Sequence, residues 1–127
     1  EAQLAAMRAV RAEFPAVVVS VDTYKPPVIE AVLDAGAHIV NDVSGLQYDP
    51  ALGDIVAVRG APLVLMHMRG RPADMYAHAT YGDVAADIAR DLTRAVERAV
   101  SRGVAWDRLV LDPGKVHFFD GGNEAAL

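Results

Sequence analysis

The sequence predicts an α/β protein in which parallel strands alternate with helices. Four short apolar runs, rich in β-branched residues and without polar alternation, are typical of strands that are buried on both faces, as parallel sheets require. These runs cover 17–21, 38–40, 62–65 and 108–111. Stretches with apolar residues at helical spacing separate them, and 53% of the 127 residues are hydrophobic, which is enough to form a core.

The first two helices are predicted from apolar spacing together with proline and glycine. One covers 1–14 and is closed by Pro15, and its apolar residues at helical spacing are Leu4, Met7, Val10 and Phe14. The other has Pro26 and Pro27 in its first turn, where a missing N–H breaks no helical hydrogen bond, and it ends at Gly36.

The third and fourth helices carry similar signals. Asp49 is the predicted N-cap of the third helix, with Pro50 at the first helical position and Gly60 at the end. A capping-box pattern at 80–83 precedes the fourth helix, which ends at Gly103. We expect this helix to bury its apolar residues at helical spacing, which are Val84, Ile88, Leu92, Val96 and Val100.

Two architectures fit this order of elements. A doubly wound open sheet suits the length of 127 residues. A (β/α)8 barrel takes about 250 residues, so four strands would form only a part of one. The pattern of apolar residues leaves both architectures open.

Composition excludes several classes of function. The net charge is −5 with scattered lysines and arginines, so we expect no nucleic-acid partner. No apolar stretch approaches the roughly 18 residues of a membrane span, so we expect no membrane partner and a cytoplasmic location. The chain has no cysteine, which excludes disulfides and thiolate metal sites. It begins with Glu1 rather than Met, and we expect it to be a segment of a longer protein.

Polar side chains follow three of the predicted strands. Asp22, Asn41 and Asp112 stand where strands end, and the carboxyl ends of parallel strands are where ligands collect. Carboxylates accept paired N–H groups and an amide both donates and accepts, so this set suits a flat, nitrogen-rich heterocycle. Met66 could pack against such a ring. The alternative is that Asp22 and Asn41 only cap the next helix or turn.

The sequence indicates a functional role less strongly for four other residues. His67 could hold a metal with the neighbouring carboxylates or act as an acid or base, although we expect a packed, hydrogen-bonded histidine. Arg69 and Arg71 lie in the long irregular stretch 67–80, where they either meet a phosphate or remain solvated. Gly45 allows a positive φ or a close approach of backbone to a ligand.

Four phrases in order identify a resemblance. They read VSVDTYK at 19–25, NDVSG at 41–45, LMHMRG at 65–70 and LDPG at 111–114. Together they resemble dihydropteroate synthase, the pterin-binding enzyme of the folate pathway and the target of sulfonamides. The resemblance implies a (β/α)8 barrel, of which residues 1–127 would be a single incomplete domain holding about strands three to six.

The resemblance also implies an activity and a set of binding residues. The enzyme would be a transferase that condenses 6-hydroxymethyl-7,8-dihydropterin pyrophosphate with p-aminobenzoate, with Mg²⁺ held by a ligand outside this segment. The intact protein would form a homodimer. By matching position, Asp22, Asn41 and Asp112 would form hydrogen bonds with the pterin ring, and Val43 and Met66 would line its pocket. No catalytic residue is assigned.

One departure from the family pattern keeps other functions open. Where the family continues Asp-Pro-Gly with a Gly-Phe-Gly-Lys-like stretch, residues 115–122 here read KVHFFDGG. A non-catalytic pterin-binding homologue or an inactive fragment is therefore an alternative. A relative of the methyltetrahydrofolate–corrinoid methyltransferases is another, although the phrase Met-His-Met-Arg-Gly speaks against it. We expect the 127-residue chain to be inactive by itself, because an open half-barrel leaves two sheet edges exposed.

Overall fold

The four predicted strands form one parallel sheet in the computed structural model, which describes residues 2–67, 84–114, 117–120 and 123–126. The strands lie side by side in chain order and are β1 (Ser20–Asp22), β2 (Ile39–Asp42), β3 (Leu63–Met66) and β4 (Leu109–Asp112). A doubly wound sheet reverses its strand order at a switch point, whereas a barrel keeps sequential strands adjacent. The observed order therefore favours the barrel.

One helix precedes the first strand and three others lie between successive strands, as predicted. They are α1 (Ala2–Glu13), α2 (Pro26–Asp34), α3 (Ala51–Arg59) and α4 (Val84–Ser101), and a short 3₁₀ turn, Trp106–Arg108, leads into β4. None of the helices in the described part of the chain is long and apolar enough to cross a membrane. A hairpin of β5 (His117–Asp120) and β6 (Asn123–Ala126), which the apolar pattern did not predict, forms a second, antiparallel sheet.

Local signals place the start of α3 almost correctly. The helix begins at Ala51, one residue later than the sequence predicts, and Pro50 occupies the N-cap position. The Asp49 carboxylate nevertheless accepts a hydrogen bond of 3.0 Å from the Ala51 amide, as a capping residue does. Gly60 ends the helix in the left-handed conformation, with φ +66°.

The strand register separates the sheet into a helix-covered face and an opposite face. Val21 pairs with Val40, and Val40 with Leu63. Paired residues of parallel strands point to the same side, and side chains two apart along a strand do so as well. The helix-covered face therefore carries these residues and Leu65, all of them buried. The core lies between this face and buried residues of α2 and α3, which are Ile29, Val32, Leu33, Leu52 and Val56.

The buried face of α4 differs from the prediction. Ile88 is buried and Val96 packs against the core, as predicted. The most deeply buried positions in the described part of the helix are Ala95 and Ala99, however, and Val100 is 47% exposed. Alanine side chains are short, so they let the helix backbone lie close to β3, and the apolar stripe rotates away from the larger valine. The predicted capping box at 80–83 and the side chain of Val84 lie outside the described residues.

This close contact makes a testable prediction about stability. Ala99→Leu should lower the free energy of unfolding by about 2 kcal/mol, because Ala99 is fully buried and the added carbons have no space. Val100→Leu adds less volume at an exposed position of the same turn and should change it by less than about 0.5 kcal/mol. Urea unfolding of the purified variants measures both values, and equal values would show that α4 does not lie tightly on the sheet.

Strand β4 also differs from the prediction, which buried it on both faces. Val110 is 53% exposed and Leu111 is 46% exposed. Val110 pairs with Val64 and so lies on the face opposite the helices, and Leu111 lies on an edge strand that pairs only with β3.

Candidate functional site

The register brings four predicted site residues to the same face of the sheet. Asp22 pairs with Asn41, and Met66 with Asp112. Asn41 also pairs with Val64, which stands two residues before Met66. All four site side chains therefore point away from the helix-covered face, at the carboxyl ends of four adjacent strands. The spacing that predicted a shared cleft is consistent with this placement.

Asn41 and Asp22 are joined by a hydrogen bond. Asn41 Nδ2 donates to Asp22 Oδ1 at 2.9 Å, so the amide orientation is fixed by an acceptor that cannot donate. Asn41 Oδ1 is buried and has no hydrogen-bond partner among the described residues. A buried acceptor without a partner costs free energy, so it is a feature that requires an explanation. It lies with Asp22 on the face of the sheet opposite the helices.

Asp112 is held by the turn that follows it. Its Oδ1 accepts a hydrogen bond of 2.9 Å from the Gly114 amide, and its backbone oxygen accepts one of 2.7 Å from the His67 amide. The Asp112 side chain is half-buried, as are Val43 and Met66. These residues therefore offer a partly desolvated edge with one carboxylate and two apolar side chains.

Asp42 organises the loop after β2, a role that the sequence analysis did not assign to it. The carboxylate is fully buried. Its Oδ1 accepts hydrogen bonds from the Ser44 amide at 2.8 Å and the Ser44 hydroxyl at 2.7 Å, and its Oδ2 accepts one from the Leu46 amide at 2.8 Å. The signal available in the sequence was the Asp-Val-Ser spacing, because aspartate commonly bonds the backbone two residues onward.

The same loop contains two consecutive residues with positive φ. Gly45 has φ +60° and Leu46 has φ +66°. A Cβ atom on Gly45 would lie 3.0 Å from the Met66 carbonyl oxygen, so the glycine has the predicted positive φ and its close contact is with the backbone of β3. A close approach to a ligand stays a prediction. The loop that carries Val43 is therefore packed directly on the end of β3.

Arg98 of α4 also holds this loop, through hydrogen bonds to its backbone. Its Nε and Nη2 both donate to the Gly45 carbonyl oxygen, at 3.2 Å and 2.9 Å. Burial lowers the pKa of the Arg98 guanidinium, while the carboxylates of Asp42 and Asp91 act in the opposite direction.

His67 is the packed histidine that the sequence analysis favoured over a metal ligand. The residue is 7% exposed, and its Nε2 lies 3.0 Å from Asp91 Oδ2. Among the described residues, no group of three or more His, Asp or Glu side chains could hold a metal ion. Arg69 and Arg71 lie outside the described residues, so their suggested contact with phosphate stays a prediction.

Comparison with known sequences identifies the family. The model of the pterin binding enzyme family matches residues 2–126. The dihydropteroate synthase of Escherichia coli K12 is 41% identical over 96 residues, which are 76% of this chain and 34% of that protein. The chain thus spans about a third of the length of this enzyme and of the Synechocystis dihydropteroate synthase.

Solved structures agree with the sequence match. A dihydropteroate synthase from Yersinia pestis, in a sulfonamide drug complex, superposes with a TM-score of 0.80 at 40% identity, covering 87% of this chain and 40% of that one. The Thermus thermophilus enzyme in complex with 4-aminobenzoate gives a TM-score of 0.78 at 45% identity, covering 87% and 42%. These neighbours have the TIM-barrel fold, so the four strands are part of such a barrel. Together, the family match across 2–126 and the shared fold show that this chain belongs to the pterin binding enzyme family.

Proposed function

We propose that this chain supplies the pterin-binding wall of a dihydropteroate synthase. The observation that carries the proposal is the convergence of Asp22, Asn41 and Asp112 on one face at the strand ends. The similarity to named dihydropteroate synthases, one of them solved with 4-aminobenzoate, supports the same conclusion. The substrates would be 6-hydroxymethyl-7,8-dihydropterin pyrophosphate and p-aminobenzoate.

The chemistry of the three polar residues matches a pterin ring. Such a ring presents an amino group beside a ring N–H, which a carboxylate accepts as a pair. Asp22 and Asp112 are the carboxylates available for this contact, and the unpartnered Asn41 Oδ1 is an acceptor for a further N–H group. Met66 and Val43 would cover the apolar faces of the ring.

The two carboxylates would also act on the reaction itself. The pterin carbon–oxygen bond breaks as pyrophosphate leaves, and the p-aminobenzoate nitrogen forms the new carbon–nitrogen bond and loses a proton. Positive charge develops on the pterin during this exchange, and the fixed negative charges of Asp22 and Asp112 would stabilise it. The described residues form no metal site, so we assign the Mg²⁺ implied by the resemblance to none of them.

Calorimetry with the pterin pyrophosphate tests the binding assignment in the purified protein. Asp22→Ala should weaken the affinity about thirtyfold, because it removes a charged hydrogen-bond acceptor worth about 2 kcal/mol. Asn41→Ala should act in the same direction. Asp34→Ala is the matched control and should leave the affinity unchanged. Asp34 is an exposed carboxylate at the end of α2 that pairs with Arg59. Wild-type affinity in a folded Asp22→Ala variant would contradict the pocket assignment.

A graft tests catalysis separately from binding. In this graft, the chain replaces its counterpart in the Escherichia coli relative, and the formation of dihydropteroate is measured. Product formation would support the synthase. Pterin binding without product would favour the non-catalytic pterin-binding homologue that the stretch 115–122 keeps open. A folded graft that binds no pterin would overturn the proposal.

A further inference from the structure

Helix α4 reaches the pocket loops with two charged side chains. Asp91 and Arg98 are seven residues apart, which is two helical turns, so they lie on the same side of the helix. Asp91 contacts the His67 ring just after β3, and Arg98 contacts the Gly45 carbonyl in the loop after β2. A single helix on the helix-covered face of the sheet thereby holds the segments that carry Met66 and Val43.

His67 links this helix to the pocket through its backbone. Its amide donates to the Asp112 carbonyl oxygen at 2.7 Å, and it follows Met66 directly in the chain. Its own carbonyl oxygen lies 2.8 Å from the position that a Cβ atom on Gly114 would occupy. The His67 backbone therefore contacts the segments that carry two of the pocket residues, Met66 and Asp112.

The ring is fixed by a hydrogen bond of defined direction. A carboxylate without a proton can only accept, so the His67 Nε2 carries the hydrogen and donates it to Asp91 Oδ2. The histidine side chain is 5% exposed and the aspartate side chain is 22% exposed, so water competes weakly for the bond. Arg98 adds a positive charge close enough to Asp91 for the two to interact electrostatically.

We propose that His67 and Asp91 are positioning residues for pterin binding. The pair holds the end of β3 in the position in which Met66 and the Asp112 carboxylate contact the pterin ring. The side chains of His67 and Asp91 themselves lie on the helix-covered side of the sheet. This inference rests on the proposed function, because it assigns the support of the same pocket. It predicts that a substitution on α4 changes ligand affinity.

A double-mutant cycle on pterin affinity tests the pair in the purified protein. Asp91→Ala should weaken the affinity for the pterin pyrophosphate about tenfold, and Asp91→Asn, which keeps an acceptor oxygen, should recover most of that loss. In a His67→Ala background, Asp91→Ala should change the affinity by less than about twofold, since the interaction is already absent. Asp87→Ala is the control, because Asp87 lies one turn earlier and pairs with Arg90.

The outcomes separate a positioning role from a structural one. A lower melting temperature with unchanged affinity in Asp91→Ala would overturn the inference, as would equal effects in both backgrounds. If Asp91→Ala does not fold, His67→Leu fills much of the ring volume, cannot donate, and should show the same tenfold loss; unchanged affinity there would also overturn it. Failure of the wild-type protein to bind the pterin would instead contradict the proposed function.

Discussion

Replacing Asp42 by alanine should lower the free energy of unfolding by about 4 kcal/mol. The carboxylate is fully buried and accepts three hydrogen bonds, from the Ser44 amide, the Ser44 hydroxyl and the Leu46 amide. Alanine leaves these donors without an acceptor and removes a negative charge that faces the partly buried Arg98. The loop also holds Leu46, a non-glycine residue, at positive φ, a conformation that persists only while such contacts keep it in place.

Urea unfolding with a matched surface variant checks this expectation. Asp54→Ala makes the same chemical change in an exposed ion pair with Arg102 and should cost less than about 1 kcal/mol. A loss at Asp42 no larger than the loss at Asp54 would show that the buried carboxylate does not hold the loop.

Gly114→Ala should have the second-largest effect, a loss of about 3 kcal/mol. Gly114 has φ +74°, and a Cβ atom would lie 2.8 Å from the His67 carbonyl oxygen, closer than real Cβ contacts come. Because the Gly114 amide donates to Asp112 Oδ1, relief of this contact would also move the Asp112 carboxylate. We therefore expect weaker pterin binding together with lower stability.

Gly60 separates backbone strain from the steric contact. It has a similar φ of +66°, but nothing lies within 4 Å of its Cβ position. Gly60→Ala should therefore cost only about 1 kcal/mol in urea unfolding and leave pterin affinity unchanged. If both variants lose the same stability, the contact between Gly114 and the end of β3 does not matter.

Much of the architecture was predictable because local signals agree with the fold. Each of the four apolar runs overlaps one of the four parallel strands, and proline and glycine placed the ends of α2 and α3 to within a residue. The first run was wrong in part, because β1 begins only at Ser20 and leaves Val17 and Val18 exposed. The sequence could also predict that Asp22, Asn41 and Asp112 share one edge of the sheet, since the carboxyl ends of parallel strands lie together. That they bind a pterin stays a prediction that calorimetry can test.

The buried face of α4 was not predictable from apolar spacing alone. Val100 and Ala99 are neighbours, and hydrophobicity favours burying the valine. The structure buries the alanine instead, because the helix lies close to the sheet and the space there admits only a small side chain. The Asp91–His67 pair depends on the same placement, and no local pattern indicates which carboxylate a histidine 24 residues earlier will meet.

Asn41 and Asp42 show most clearly what the sequence determined and what only the tertiary structure decided. The sequence determined that two polar residues stand at the end of a buried strand. Side chains alternate across a strand, so one of the two must face the helices and the other the opposite side of the sheet. Asp42 pairs with Leu65 and therefore faces the helices, whereas Asn41 pairs with Asp22 on the opposite face. Asp42 thereby became the buried support of the loop, and Asn41 kept an acceptor without a partner on the opposite face, because the register of the neighbouring strands fixes the face.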